Sequence, residues 1–371
     1  MAADFTFLKK IARPGFSLFA SRSSRVAGIH IGTFSTKVVQ LRYEAERAIL
    51  ETYGELLNEK YLGAGGSGAG SGEGVLHRVD EDISSLLADL LRESNVSTRE
   101  VVFAIPTTAA FITTISFPKA LESEIPQAIK YEARKYVPIP IAEVVLEWTV
   151  LEEAEARDDI RVLLVAVPRE VVEKFKRVGE ITKLTIRALE VEPFSVARSL
   201  IGHESTPTLI LDFGHQTSSL IFVDRGFVRM VSAISHGSHE LTRALERGLG
   251  VGLARAETSK REVGLSERIE EQEITSVIVP LLDTLFAEFG RLVSLYTRRA
   301  QRRTQKIILP GGGAHLKGIV EYTVSKLGLE TTRGNPFARV VTPPFMQPIL
   351  NQVGPNLSVA TGAALRGLSA R

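Results

Sequence analysis

Short runs of apolar and β-branched residues open each half of the chain, and longer stretches with helical spacing follow them. Arg25–Tyr53 reads as a three-strand meander. Arg78–Glu93 carries apolar residues at 79, 83, 86, 87, 90 and 91, the spacing of a helix, and Val101–Ile105 is a buried strand ended by Pro106. The second half repeats this outline. Thr208–Phe213 and Thr217–Val223 are strands, and Asp224-Arg225-Gly226 turns the chain into Phe227–Ser232. Helices are expected at Ser238–Arg247, Ala254–Val263, Glu273–Gln301, Leu316–Leu327 and Asn356–Leu368, with a strand at Lys306–Leu309. A strand–turn–strand unit at the start of each half predicts an α/β protein of two duplicated lobes facing a cleft. They span 25–205 and 206–371, with the terminal helix 356–368 returning to the first lobe.

Between these units lies a block with a different rhythm. Phe111–Phe117 is a strand, and Leu121, Ile125, Ala128, Ile129 and Glu132 share a helical face that runs to Tyr136 before Pro138 and Pro140. Val144–Leu151 and Arg161–Val167 are strands and Arg169–Glu180 a helix. This β-α-β-β-α order predicts a compact subdomain inserted at about 107–187 in the first lobe. Residues 62–74 are almost all glycine, serine and alanine, which makes them a flexible surface loop. Residues 1–24 interleave Phe5, Phe7, Leu8, Phe16 and Phe19 with Lys9, Lys10, Arg13 and Arg22. That segment reads either as a contact for an anionic membrane or partner, or as a disordered lead-in. Pro14 and Gly15 interrupt it, unlike a secretory signal.

Composition narrows the picture only slightly. Of 371 residues 44% are apolar and 24% charged, ordinary for a globular protein large enough for two domains. A net charge of +2 gives no bulk case for nucleic acid, and zero cysteines exclude disulfides and thiolate metal sites. No apolar run approaches the roughly 18 residues that span a bilayer.

Three glycine-bearing segments carry the candidate chemistry. Gly32-Thr-Phe-Ser-Thr-Lys37 joins two strands, so it is neither a Walker loop nor a dinucleotide fingerprint, both of which lead into a helix. Its glycine admits an anion close to the backbone, Thr33, Ser35 and Thr36 offer hydroxyls, and Lys37 a counter-charge. Asp212-Phe-Gly214-His215-Gln216-Thr217 repeats the logic, with Asp212 at a strand end where one carboxylate can hold hydrated Mg²⁺. Alone, the first loop also reads as a plain polar hairpin, and the second as a turn whose Asp accepts hydrogen bonds from the following backbone. Pro310-Gly311-Gly312-Gly313-Ala314-His-Leu316 follows a strand and opens a helix, a junction suited to a flat ring or a phosphate. Glu257 and Lys260, one turn apart, can contact a ribose or base, or form a solvated salt bridge. In His236-Gly-Ser-His239, Ser238 is the expected N-cap of the following helix. No paired carboxylates or Ser/His/Asp order stand out as catalytic.

The order of the three loops resembles the two phosphate loops and adenosine loop of actin-like ATPases. The block between the first two sharpens this: Val102-Phe-Ala-Ile-Pro106, Phe117-Pro118, Ala128-Ile-Lys-Tyr-Glu-Ala-Arg-Lys-Tyr-Val-Pro138 and Ala188-Leu-Glu-Val-Glu-Pro-Phe194. With Ala256-Glu257, Lys260 and Ala360-x-Gly-x-Ala-Leu-Arg366, the chain from Arg25 onward resembles the PilM family of type IV pilus assembly, related to FtsA and GspL.

That resemblance implies an actin-like fold with an FtsA-type insert and ATP or ADP in the cleft. Glycine loops, hydroxyls, Lys37, Asp212, Glu257 and Lys260 would hold the nucleotide. It also implies docking of the N-terminal tail of a PilN-like inner-membrane protein beside the insert, rings or other homo-oligomers, and a link to the pilus motor ATPases. The location implied is the cytoplasmic face of the inner membrane, reached through the partner. The first loop departs from the family pattern, since His30 stands where an aspartate is usual. Losing that charge weakens Mg²⁺ positioning, so ATP, ADP or an empty cleft, with little turnover, is expected. The bulky His215-Gln216 pair is expected to crowd the phosphates. A sugar-type kinase shares such loops but needs a carboxylate base that no obvious loop supplies. An FtsA-like membrane polymer, or the type II secretion relative, is the alternative.

Overall fold

The computed structural model of the chain describes residues 24–59, 76, 78–151, 159–202 and 204–369. The expected basic-aromatic segment and the Gly/Ser loop at 62–74 lie outside them. In chain order the first lobe has β1 (Arg25–Ile31), β2 (Ser35–Glu44), β3 (Arg47–Leu57), α1 (Asp80–Glu93) and β4 (Glu100–Ile105). β5 (Phe111–Pro118), α2 (Ile125–Ala133), β6 (Val144–Val150) and β7 (Asp159–Pro168) follow. α3 (Arg169–Ile181), β8 (Thr185–Val191) and α4 (Glu192–Leu200) complete this half. The second half has β9 (Thr208–Phe213), β10 (Ser218–Asp224), β11 (Phe227–Ile234), α5 (Ser238–Leu249), α6 (Leu253–Val263) and α7 (Gln272–Ala300). It ends with β12 (Lys306–Leu309), α8 (Ile319–Leu327), β13 (Glu330–Arg333), β14 (Val340–Val341), α9 (Gln347–Val353) and α10 (Ser358–Ser369).

The two halves are built alike. One sheet runs β14-β3-β2-β1-β4-β8 and the other β11-β10-β9-β12-β13. Each holds an antiparallel three-strand meander whose first strand pairs in parallel with β4 or β12, which in turn pairs in parallel with β8 or β13. β1 is central, and Val26, Ala27, Ile29 and Ile31 are all buried, as strands with two covered faces require. Helix α1 forms where expected: Asp80, Glu81 and Asp82 favour its first turn, and Ile83, Leu86, Leu87, Leu90 and Leu91 face the core.

The inserted block has its own three-stranded sheet, β5-β7-β6, with α2 across it. Strand β7 explains how it is fastened. Val162, Leu164 and Ala166 point into the insert's core, while Leu163, Val165 and Val167 belong to the main first-lobe core. Helix α3, expected as part of the insert, packs on α1 and β8 as well as on β7, and Asp80 receives ion pairs from Lys174 and Arg177. The insert's helix α2 is shorter than expected, because 119–124 takes a 3₁₀ turn before Ile125.

Two connections differ from expectation. β8 and α4, unread in the sequence, carry the chain from the first lobe toward the second. The return to the first lobe begins well before residue 356: β14 pairs with β3, and Phe337, Val340 and Leu350 share a core with Val39 and Leu41. Helices α4 and α10 then cross in intimate contact. A Cβ on Gly362 would overlap the Ser195 backbone, and buried Glu190 pairs with Arg198 beside Arg366.

Candidate functional site

The cleft between the two sheets is a cavity of about 940 Å³, within the size range of small-molecule sites. The two hairpin turns face it with the same backbone geometry. Gly32 N–H donates to Ser35 O at 3.1 Å, and Gly214 N–H donates to Thr217 O at 3.0 Å. A Cβ would sit 3.0 Å from Ser35 O in the first turn and 2.5 Å from Thr217 O in the second, so glycine is what lets each turn close.

Most expected residues line this cavity: Gly32, Thr33, Phe34, Ser35, Lys37, Asp212, Gly214, His215, Gln216, Thr217, Glu257, Lys260, Gly311, Gly312, Gly313 and Leu316. Thr36 and Ala314 do not. Thr36 is buried and its hydroxyl donates to Asn58 Oδ1 at 2.8 Å, which locks the turn from behind, and Ala314 packs into the second-lobe core. The Ser35 hydroxyl donates to Glu55 Oε1 at 2.6 Å, so it supports the first turn as well as facing the cleft.

Charge is arranged unequally. Lys37 Nζ donates to Ser35 O at 3.2 Å and lies 3.8 Å from Glu55; burial pulls its pKa down. Glu55 would be raised by burial, but Lys37 and the Ser35 and Asn356 bonds hold it low. His30 Nε2 lies 3.0 Å from Glu192 Oε1, while Glu192 Oε2 accepts from Thr107 N–H at 2.9 Å and from its hydroxyl at 3.1 Å. Those contacts likewise outweigh burial and keep Glu192 below the usual glutamate range. Asp212 is the opposite case. Burial, followed by the nearby Glu192 charge, raises it to about 6.

The third loop rests on the second. Gly311 has φ of 73°, and a side chain there would strike the Asp212 carboxylate; Gly313 sits equally close on Phe213. The α-helix behind this loop begins only at Ile319, later than expected. A 3₁₀ turn over 312–315 intervenes, and left-handed Gly318 then starts the helix. Loop one and loop three are tied by Asn356, which meets His315 Nε2 at 3.1 Å and donates to Glu55 at 3.2 Å.

Glu257 and Lys260 are no solvated pair. Lys260 is buried and donates to Glu257 at 2.6 Å and to Thr242 at 2.8 Å; Thr242 and Arg261 also donate to Glu257. Against the cost of burial, these partners bring Glu257 to about 2, a fixed acceptor at the cleft wall. Ser238 is the first residue of α5 rather than its cap. Gly237 holds the cap position, and the Ser238 N–H donates to Gly214 O at 2.9 Å, fastening the helix to the second turn.

Sequence reasoning missed Glu192, Glu55, Thr107, His239, Arg261, His315 and Asn356, all of which line the cleft. Glu192 opens a helix that the sequence reading left unassigned. Pro193 behind it was the available signal that a helix starts there. Among the described residues no three His, Asp or Glu converge as metal ligands. A divalent ion here would therefore lean on Asp212 and on a bound phosphate. Backbone turns, Lys37 and the Glu257 wall together suit an anionic, sugar-bearing ligand such as a nucleotide.

Comparison with known proteins agrees with this geometry. The family model for type IV pilus assembly protein PilM matches residues 28–368. Over 92% of this chain and 98% of the other, the fold matches a chain of a PilM–PilN type IV pilus biogenesis complex, with 26% identity and a TM-score of 0.77. The ethanolamine utilization protein EutJ of Carboxydothermus hydrogenoformans matches at 16% identity and TM-score 0.52, over 92% of this chain and 89% of that one. MreB 5 of Spiroplasma citri, solved bound to AMPPNP, matches at 13% identity and TM-score 0.53, over 93% and 96%. The last two show the fold alone, and that fold is actin-like.

Proposed function

Since the chain belongs to the PilM family of type IV pilus assembly proteins, we propose that it is a nucleotide-binding scaffold of the pilus machinery. The observation that carries this is the pair of matched glycine turns, Gly32–Ser35 and Gly214–Thr217, facing each other across one cleft. The two turns would hold the nucleotide's polyphosphate, with Lys37 supplying positive charge and Asp212 the carboxylate for a hydrated Mg²⁺. Glu257, Lys260 and the Gly311–Gly313 loop would hold its ribose and base. With His30 in place of a carboxylate and Glu192 engaged by His30 and Thr107, the cleft binds far better than it turns over. Mg²⁺, when bound, screens the phosphate charge; the chain's own groups hold and orient the nucleotide.

The partner in this reading is the N-terminal tail of a PilN-like inner-membrane protein, in keeping with the matched pilus biogenesis complex. The insert offers an exposed aromatic face on α2 and just beyond it, with Tyr131 68% and Tyr136 43% exposed. No helix among the described residues is long and apolar enough to cross a membrane, so in this reading the partner's tail holds the scaffold at the cytoplasmic face. Homo-oligomeric rings and a link to the motor ATPases extend the same reading.

Calorimetric titration with a synthetic tail of a PilN-like protein tests the partner half. Binding that is lost in Y131A/Y136A while the fold is retained supports it. No binding by the wild type contradicts it, whatever the nucleotide result.

A further inference from the structure

Phe34, at the tip of the first turn, reaches across the cleft. Its ring centroid is 5.0 Å from that of His215 on the second turn, and the Arg261 guanidinium of α6 stands 5.6 Å from it. His215 is backed by His239 of α5, with centroids 4.9 Å apart, and Arg261 Nε donates to Glu257 at 2.7 Å. One first-lobe ring thus touches groups from both second-lobe walls of the cleft, and all five residues line the cavity. Burial, then the neighbouring His239 and Lys260, lowers His215 to about 4, so at neutral pH it meets Phe34 as an uncharged ring.

We propose that Phe34 is a clasp across the cleft, gripped by His215 and Arg261, that retains a bound nucleotide by slowing its escape. The proposal rests on the nucleotide reading above. A ligand held between the turns leaves only when the lobes part, and parting them breaks the ring contact and the guanidinium–ring contact together. Tilted ring pairs and cations over rings are each modest, and losing both speeds departure about tenfold. Entry is affected less, because contact mutations act mainly on dissociation. The turn's own closure is unaffected, since it depends on the Gly32–Ser35 backbone bond and on Asn58 rather than on the ring.

The test is stopped-flow release of a fluorescent ADP analogue from the full chain, chased with unlabelled ADP. F34A is expected to release it about tenfold faster with association changed by less than about twofold, and F34W to restore slow release. H215A should also speed release, and F34A/H215A should be no faster than the faster single variant. F34A release within twofold of wild type, or singles whose effects multiply in the double, overturns the clasp while leaving nucleotide binding standing. A wild-type chain that takes up no labelled nucleotide overturns the nucleotide reading and the clasp with it.

Discussion

The first and second turns share a backbone and differ in everything around it. In the first, each carboxylate has a compensating partner: Glu55 has Lys37 and the Ser35 hydroxyl, and Glu192 has His30 and Thr107. In the second, Asp212 faces the cleft under the influence of burial and of Glu192, and its pKa rises to about 6. A duplicated scaffold has kept the cradle and divided the charge. One side is electrostatically satisfied; the other gains from a cation.

The largest effects come from filling the cradles. G214A puts a Cβ 2.5 Å from Thr217 O, closer than real contacts allow, so nucleotide affinity should fall at least about 100-fold by calorimetry. G32A, at 3.0 Å from Ser35 O, should cost about tenfold. Equal losses would mean that the two turns are not used unequally.

Titration separates the loops next. Asp212 binds its proton more tightly folded than unfolded, so its contribution is fully present below about pH 4 and lost as pH rises through about 6. Glu192 is shifted the other way: its contribution is present above the unfolded glutamate range and is lost as pH falls through its lowered folded value. In urea melts at pH 8, D212N should therefore gain on the order of 2 kcal/mol, and E192Q should lose stability. The D212N gain should vanish by about pH 4. Destabilisation by D212N at pH 8 would break the contrast.

The smallest effect concerns His30. H30D replaces the partner of Glu192 with a second carboxylate, so binding should become more dependent on Mg²⁺, by about threefold in affinity between chelator and millimolar metal. An unchanged Mg²⁺ dependence would remove His30 from the account.

The contrast between the turns was only half legible in the sequence. Each cradle is local: an apolar strand, a glycine and a hydroxyl within a few positions announce it. The charge environment is not local. His30 meets Glu192 across a separation of 162 residues, and Glu55 meets Asn356 across 301, so no spacing rule brings them together. The same reason hid His239 and Arg261, which come to the cleft only when α5 and α6 fold against the second turn. Thr36 failed in the opposite direction. A hydroxyl in a phosphate-type loop looked available, yet strand alternation turns it inward to Asn58. Helix α3 was legible as a helix, but not its packing partners, because periodicity reports an apolar face and not what covers it.

Calorimetry of ATP and ADP with the wild-type chain and with K37A and G214A, with and without Mg²⁺, bears most directly on the central claim. The account predicts one nucleotide per chain, binding lost in G214A and strongly weakened in K37A, and no phosphate release above background over the same period. A wild-type chain that binds neither nucleotide, or binding indifferent to both substitutions, would contradict it.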